Sequence, residues 1–370
     1  MTQVLVLGAG TVGAAIAYGL ARQNCRVTLL DGGDTDHRAA RANFGLVWLQ
    51  GKGAGMPAYH RLTRQSVDLW PSFSEELAQV SGAMLQYERT GGLKFCLNEQ
   101  EVEARHFELQ RLHNMAGGAQ DWEMLDRPAL ERLLPGVTLG AEVVGASYGH
   151  SDGHCNPLRL LAALQRGVQR LGGRVIGNAT VQTIRPSAAG FEVETADATY
   201  AADRLVIAAG LGSAALARQV GLTIPVRPQR GQILVTERCA PLIPMPASGL
   251  RQTGDGTVMI GSTQEEVGFD SMATGEAAGR LSRAAVRILP RLASARVVRQ
   301  WAGLRVMTPD SFPIYAQAPD HPGAFVALCH SGVTLAALHA THLAAAVAAG
   351  ALPDALSPFH QSRFDVSQTA

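Results

Sequence analysis

At 370 residues, 46% of them hydrophobic and 32 basic against 31 acidic, the chain has the size for two domains and the composition of an ordinary globular protein. The near-balance of charge leaves none of the basic excess that nucleic-acid binding uses, and nearly all the cations are arginine, Lys52 and Lys94 being the only lysines, a pattern that reads as codon bias. The cysteines, Cys25, Cys96, Cys155, Cys239 and Cys329, are scattered, odd in number and free of any C-x-x-C pair, which argues for reduced thiols in a cytoplasmic protein.

The first elements carry the strongest signal. Gln3-Val4-Leu5-Val6-Leu7 is a short apolar run, followed at once by Gly8-Ala9-Gly10-Thr11-Val12-Gly13, an apolar helix predicted over 14–23, and a second buried strand over 26–30 closed by Asp31. In such a unit Gly8 permits the tight turn, Gly10 lets the backbone approach a pyrophosphate, and Gly13 lets the helix sit close on the strand. The pyrophosphate rests on the free N–H groups of the helix start at Thr11 and Val12, and Asp31 accepts from the adenosine ribose hydroxyls. With no arginine beside Asp31, a ribose 2′-phosphate is disfavoured, so NADP drops out while NAD and FAD both remain.

Residues 32–55 form a glycine-rich loop where an NAD enzyme would proceed to its third strand, and a loop of that length is usually functional. Its glycines suit close approach to a flat ligand, and Phe44, Leu46, Val47, Trp48 and Leu49 are too apolar to be left in water. Helices are then expected over 59–81 and 99–115 with a strand over 91–97 between them, and Asp126 reads as an N-cap ahead of Pro128. The turn 152–157 leads into a helix over 158–171, then strands over 174–181 and 191–195. His154 and Cys155 lack partners at metal spacing, so no metal is expected. A buried parallel strand over 203–210 ends at Ala209-Gly210 and resumes the nucleotide fold, which makes that domain discontinuous.

From 225 to 299 short strands around turns suggest an antiparallel sheet, with a strand reached from 226–235, another at 257–261 and a helix over 275–289. Residues 301–310 precede a strand at 312–315, and 325–334 read as strand then turn, aiming the start of the last helix at a second part of the ligand. That last apolar run, 333–352, contains His339, Thr341 and His342 and is mostly alanine, so it reads as a packed core helix, not a membrane span. With a core strand so near the initiator methionine, no signal peptide is expected.

Taken together, the N-terminal fingerprint, Asp152-Gly153 with Pro157, Arg230-Gly231-Gln232, Gly303-Leu304-Arg305 with Thr308-Pro309-Asp310, and His330-Ser331-Gly332-Val333-Thr334 resemble the D-amino-acid oxidase family of flavoproteins. Within it the likeness is to the glycine and sarcosine oxidase branch and to opine oxidase and D-hydroxyproline dehydrogenase subunits, whose loop is similar to Asn43-Phe44-Gly45-Leu46-Val47-Trp48. The resemblance spans nearly the whole chain. It implies an α/β fold, α+β overall, in which a Rossmann-like FAD-binding domain (1–84, 146–222 and 301–370) is interleaved with a smaller substrate domain on a largely antiparallel sheet (85–145 and 223–300). Many members carry Glu where this chain has Asp31, which still serves a ribose. Members that bind flavin covalently have a cysteine just upstream of the Thr-Pro-Asp motif, where this chain has Gly303, so the FAD is expected to be non-covalent.

The resemblance further implies cofactor contacts at Gly8, Gly10, Thr11, Val12, Gly13 and Asp31, at Arg41, Asn43, Gly45 and Leu46 of the loop, and at Val181, Ala209 and Gly210. Gly303, Arg305, Ser331, Gly332, Val333 and Thr334 complete the set. The implied reaction moves a hydride from the carbon of a C–N bond next to a carboxylate to the flavin, leaving an imine that water hydrolyses. The protein then needs a cation for the carboxylate, and Arg305 is the candidate, because a guanidinium meets a carboxylate with two parallel hydrogen bonds. Lys52, Trp48 and His330 are lesser candidates: a loop lysine between glycines and a histidine at a strand end are as often structural as functional. Expected substrates are glycine, sarcosine, iminodiacetate, an opine or a D-proline derivative, with oxygen or another carrier as electron acceptor. An NAD-dependent dehydrogenase on the same fingerprint is the alternative, and both a homo-oligomer and a flavin-binding subunit of a larger complex are compatible with the sequence.

Overall fold

The computed structural model describes residues 1–32 and 39–365. Its fold is mixed α/β. Six strands form one sheet in the spatial order Ile314–Gln317, Ala324–Leu328, Arg204–Ile207, Gln3–Leu7, Arg26–Leu30, Arg174–Ile176. All neighbours are parallel except the edge strand Ile314–Gln317.

The unbroken apolar run at the N-terminus follows from this position, because a parallel sheet is covered on both faces. Val4 and Val6 face the helices Thr11–Arg22, Pro57–Ser81 and Pro157–Arg170, while Leu5 and Leu7 pack with Ile184, Phe191 and Val193 of an antiparallel meander, Val181–Ser187, Gly190–Thr195 and Thr199–Ala202. The strand expected over 174–181 is two strands: the first ends at Ile176 in the parallel sheet, and the second begins at Val181 in the meander. The break is a turn through Asn178 at positive φ, fastened where Ala179 N donates to Asp31 O at 2.7 Å.

The second layer is antiparallel. Leu250–Gln252, Thr257–Gly261, Arg227–Arg238 and Val297–Met307 lie side by side in that order, and Gly92–Cys96, Gly145–Gly149 and Trp122–Asp126 form a three-stranded sheet. Single bridges from Ala247 to Leu93 and to Leu250 join the two, and one apolar core backs them. The segment 301–310, expected to lead up to a strand, is itself most of the strand Val297–Met307; the turn at Thr308–Asp310 separates it from Ile314–Gln317. That corner is structural, since Arg363 grips both carboxylate oxygens of Asp310 at 2.8 and 3.1 Å while Asp310 Oδ1 accepts from Phe312 N. Asp126 caps its helix as expected, accepting from Ala129 N at 2.8 Å.

The last helix is shorter than the apolar run, Ala336–Ala349, with a π turn at His339–Leu343, and it stops at left-handed Gly350. It is a core element: Ala336, Ala337, Leu338, Ala340 and Leu343 are buried against the first helix and its neighbours. Among the described residues no single helix is long and apolar enough to cross a membrane.

Candidate active site

The glycine turn connects Gln3–Leu7 to Thr11–Arg22. Gly8 has φ +104°, and a Cβ on Gly13 would collide with Gly8 O, so both positions demand glycine. Gly10 precedes the helix without any side-chain cap, leaving its first N–H groups available, and the buried Thr11 Oγ has no hydrogen-bond partner among the described residues. An uncapped helix start with an unsatisfied hydroxyl fits an anionic pyrophosphate. Ala208 and Ala209 stand against Gly8, and Gly210 follows at positive φ beside Val306.

Asp31 Oδ2 accepts from Ala9 N at 2.6 Å, so this carboxylate holds the glycine turn; its expected role toward the ribose is a proposal that substitution tests. Asp31→Ala should therefore release FAD during purification, the lost charge-assisted hydrogen bonds being worth roughly 1.5–3 kcal/mol. The flavin-to-protein absorbance ratio after gel filtration measures this, and wild-type occupancy would sink the assignment.

The glycine-rich loop is not wholly irregular. Leu46–Val47 is a short strand paired antiparallel with Gly153–His154, and Cys155 N donates to Gly45 O, so the turn at Asp152–Pro157 is the loop's partner in space. Val47, Trp48 and Leu49 are buried, and Gly45 is packed on Cys155 O instead of lining the cleft. Thr334 Oγ accepts from Trp48 N and donates to Leu46 O, both at 3.2 Å, which ties the loop to the C-terminal turn. Gly332 in turn lies against Val12 and Thr11, and so the two strand–turn–helix junctions meet.

Between this loop and the antiparallel sheet lies a cleft of about 320 Å³. Of the residues singled out in the sequence, Asn43, Leu46, Trp48, Lys52, Gly303, Arg305, His330, Ser331, Val333 and Thr334 line it. Arg41 is exposed in a turn within the loop, and Val181 is at the start of the meander beyond Asp31; neither lines the cleft.

Arg305 lies over Gly231 on the facing strand, where any Cβ would come within 2.8–2.9 Å of the guanidinium. Its donors reach Thr263 O at 2.9 Å, Gln229 Oε1 at 3.3 Å and Ser262 Oγ. The flanking residues of Arg230-Gly231-Gln232 hold the segment above it: Arg230 pairs with Glu265 and Asp270, and Gln232 bonds Glu265 and Thr274 N. Lys52 Nζ donates to Ser331 Oγ at 3.1 Å, and Tyr59 OH donates to the same oxygen at 2.8 Å. Burial lowers the Lys52 pKa, and Arg305 lowers it further. His330 is pushed down to about 3 by burial and then by Lys52 and Arg305, so its imidazole is neutral.

Beneath the loop is a buried polar network where the sequence shows only a turn. Asp152 accepts from Leu49 N, from Gln50 N at 3.3 Å and from Gln50 Nε2 at 2.7 Å. Gln50 Oε1 accepts from Arg105 at 2.8 Å and Ser147 at 2.6 Å. Burial pushes the Asp152 carboxyl up to about 7, opposed by these N–H donors. Tyr59, Gln229, Ser262 and Thr263 were also missed; only the neighbourhood of Arg230-Gly231-Gln232 offered a signal, for Gln229. No cluster of three metal-binding side chains occurs among the described residues.

A parallel sheet with a glycine cradle at one strand end, beside a cleft walled by an antiparallel sheet, is the architecture of a dinucleotide-binding protein. Residues 3–346 match the DAO family, described as FAD dependent oxidoreductase, and the chain belongs to that family. It is 41% identical to an opine oxidase subunit of Agrobacterium tumefaciens over 98% of both chains. Its fold superposes on the crystal structure of glycine oxidase from Geobacillus kaustophilus with a TM-score of 0.87, at 25% identity over 98% of this chain and 99% of that one. Iminodiacetate oxidase from a Chelativorans species gives 0.84, at 25% identity over 97% and 98%. The protein is thus an FAD-dependent oxidoreductase, and the NAD alternative falls away.

Proposed function

We propose that the protein oxidises the C–N bond of a small amino acid or secondary amine that bears a carboxylate, of the glycine, sarcosine, iminodiacetate, opine or D-proline type. The observation that carries this reading is Arg305. Its guanidinium is held at the cleft wall by neutral acceptors, with no carboxylate in ion-pair range among the described residues. A planar cation so placed receives a substrate carboxylate and thereby orients the neighbouring carbon.

FAD, when bound, supplies the acceptor for the hydride leaving that carbon, and the resulting imine is hydrolysed by water. The chain's own part is to bind and align. Trp48 and Ile233 give the cleft apolar walls that exclude water, and the neutral His330 adds no charge beside the amine. Gly8 to Gly13 and Asp31 would hold the pyrophosphate and ribose, and the turn Ser331 to Thr334 the flavin end. The division of labour is part of the proposal: the parallel layer for FAD, the antiparallel layer for substrate, with the boundaries expected after 145 and 300 moved to the ends of Gly145–Gly149 and Val297–Met307, because those cuts would split two strands of the antiparallel layer.

A second reading, a flavin-binding component of a larger enzyme, is favoured by the 41% identical relative, whose own name makes it one subunit of an opine oxidase. One experiment addresses both. Purified holoprotein is mixed anaerobically with a panel of D-, N-methyl- and N-carboxymethyl amino acids while flavin bleaching is recorded, followed by peroxide release in air. Bleaching by carboxylate-bearing amines is expected. Equal bleaching by amines that lack a carboxylate overturns the reading, and bleaching without turnover in air supports the multi-subunit alternative.

A further inference from the structure

The Arg305 guanidinium is oriented by a segment with little apolar packing of its own. Two of its three acceptors, Ser262 Oγ and Thr263 O, open the segment 262–274, which runs from the strand Thr257–Gly261 to the helix Gly275–Ile288. Every residue from 264 to 274 is exposed or half-buried, and Phe269 and Met272 are 72% and 71% exposed, so burial of side chains does not fix its place.

Polar bonds do. Along the strand Arg227–Arg238 the faces alternate: Gly231 and Ile233 line the cleft, while Arg230 and Gln232 turn to the opposite face. There Arg230, only 6% exposed, grips the segment at separate points. Its Nε donates to Glu265 Oε2 at 2.8 Å, and its Nη1 donates to Asp270 Oδ2 at 2.5 Å and Met272 O at 3.0 Å. A guanidinium has five donors in a fixed fork, enough to take two carboxylates and a carbonyl at once. Arg230 and Glu265 also exchange backbone hydrogen bonds at 2.9 and 3.0 Å. Gln232 ties the two ends, its N–H donating to Thr263 Oγ at 2.9 Å and its Oε1 accepting from Thr274 N at 2.8 Å.

We infer that Arg230 is a positioning residue of the site: ion-paired to Glu265 and Asp270 on the far face of its strand, it holds the segment 262–274 so that Ser262 and Thr263 present their oxygens to Arg305 on the cleft face. The consequence for substrate rests on the reading of Arg305 given above. A guanidinium whose plane is set before the ligand arrives loses less freedom on binding and meets a carboxylate in one orientation.

The test uses holoprotein and two thioethers that cannot be oxidised as amines, (methylthio)acetate and 2-(methylthio)ethanol, an acid and its neutral counterpart. Binding is followed by perturbation of the flavin absorption spectrum, and backbone hydrogen exchange is measured on peptides covering 262–274. Arg230→Met should speed exchange there and cut the preference for the acid about 10-fold, the scale of a misaligned binding group. In an Arg305→Leu background the same change should alter the preference by less than about twofold, because no guanidinium is left to misplace. Arg230→Lys should fall between, since an ammonium keeps the charge and loses the fork. Glu265→Gln removes the charge from the same clamp and reads it even if the Met protein loses flavin.

An Arg230→Met protein that keeps the wild-type preference overturns the inference, even if it unfolds more easily, for then Arg230 serves stability alone. An equal loss in the Arg305→Leu background overturns it too. The parent reading fails separately. If wild type binds acid and alcohol alike while Arg230→Met speeds exchange at 262–274, the clamp stands and the carboxylate reading falls; if wild type prefers the acid through Arg305 and Arg230→Met changes neither exchange nor preference, the reverse holds.

Discussion

Arg305→Leu should lower kcat/KM for a carboxylate substrate by the equivalent of about 3–5 kcal/mol, the cost of leaving one member of a desolvated pair alone. The guanidinium is desolvated, since burial lowers its pKa, and Thr263 O, Gln229 and Ser262 fix its plane above Gly231. Arg305→Lys should cost less but remain clearly impaired, because an ammonium keeps the charge and loses the two-donor fork that aligns the substrate carbon. Both variants should remain yellow, since the proposed grip on FAD lies mainly at the glycine turn and Asp31. Steady-state kinetics beside the flavin spectrum checks this, and an unchanged kcat/KM in the Leu variant means that the carboxylate is held elsewhere or is absent from the substrate.

Asp152→Ala should destabilise the fold by about 3–5 kcal/mol, because it strips the acceptor from Leu49 N, Gln50 N and the Gln50 amide, and each buried donor left unpaired costs ~1–3 kcal/mol. Denaturant unfolding measures it. Substrate affinity should drop as well, since the same bonds hold the loop that presents Trp48 and Lys52. The carboxyl also predicts a pH dependence. Burial raises its pKa from the ordinary 3.8 to about 7, so the folded state binds the proton more tightly than the unfolded chain. The contribution is full below about 4 and is lost as pH rises through about 7. Asp152→Asn lacks this term, and the stability advantage of wild type over the Asn variant should therefore shrink between pH 5 and pH 8. A gap that is equal at both pH values would show that the carboxyl is not raised.

Much of the nucleotide end was legible because its causes are local. A strand covered on both faces must be apolar throughout, a helix packed tightly on it must begin with glycine, and these demands leave marks at fixed spacing, as at Gly8, Gly10 and Gly13. The cleft was legible only in pieces. Lys52, Arg305, His330 and Ser331 could each be singled out, but nothing in the spacing of positions 52, 305 and 330 shows that they share one cavity. Asp152 was read as a turn residue because its partners, Leu49 and Gln50, lie about a hundred positions away and two of the three donors are backbone, which has no sequence signature.

By itself the sequence determined the α/β class, the dinucleotide cradle from Gly8 to Asp31, and the ordered motifs by which the chain resembles its family, since each depends on residues near one another along the chain. The tertiary structure decided the rest. It split residues 174–181 between two sheets and made 297–307 a single strand, because hydrogen-bond pairing between distant segments outweighs local propensity. It also put two cations into one cleft whose lining, among the described residues, carries no acidic side chain. Charge balance at a site is a property of three-dimensional neighbours, and a chain with 32 basic and 31 acidic residues gives no hint of a local excess until it is folded.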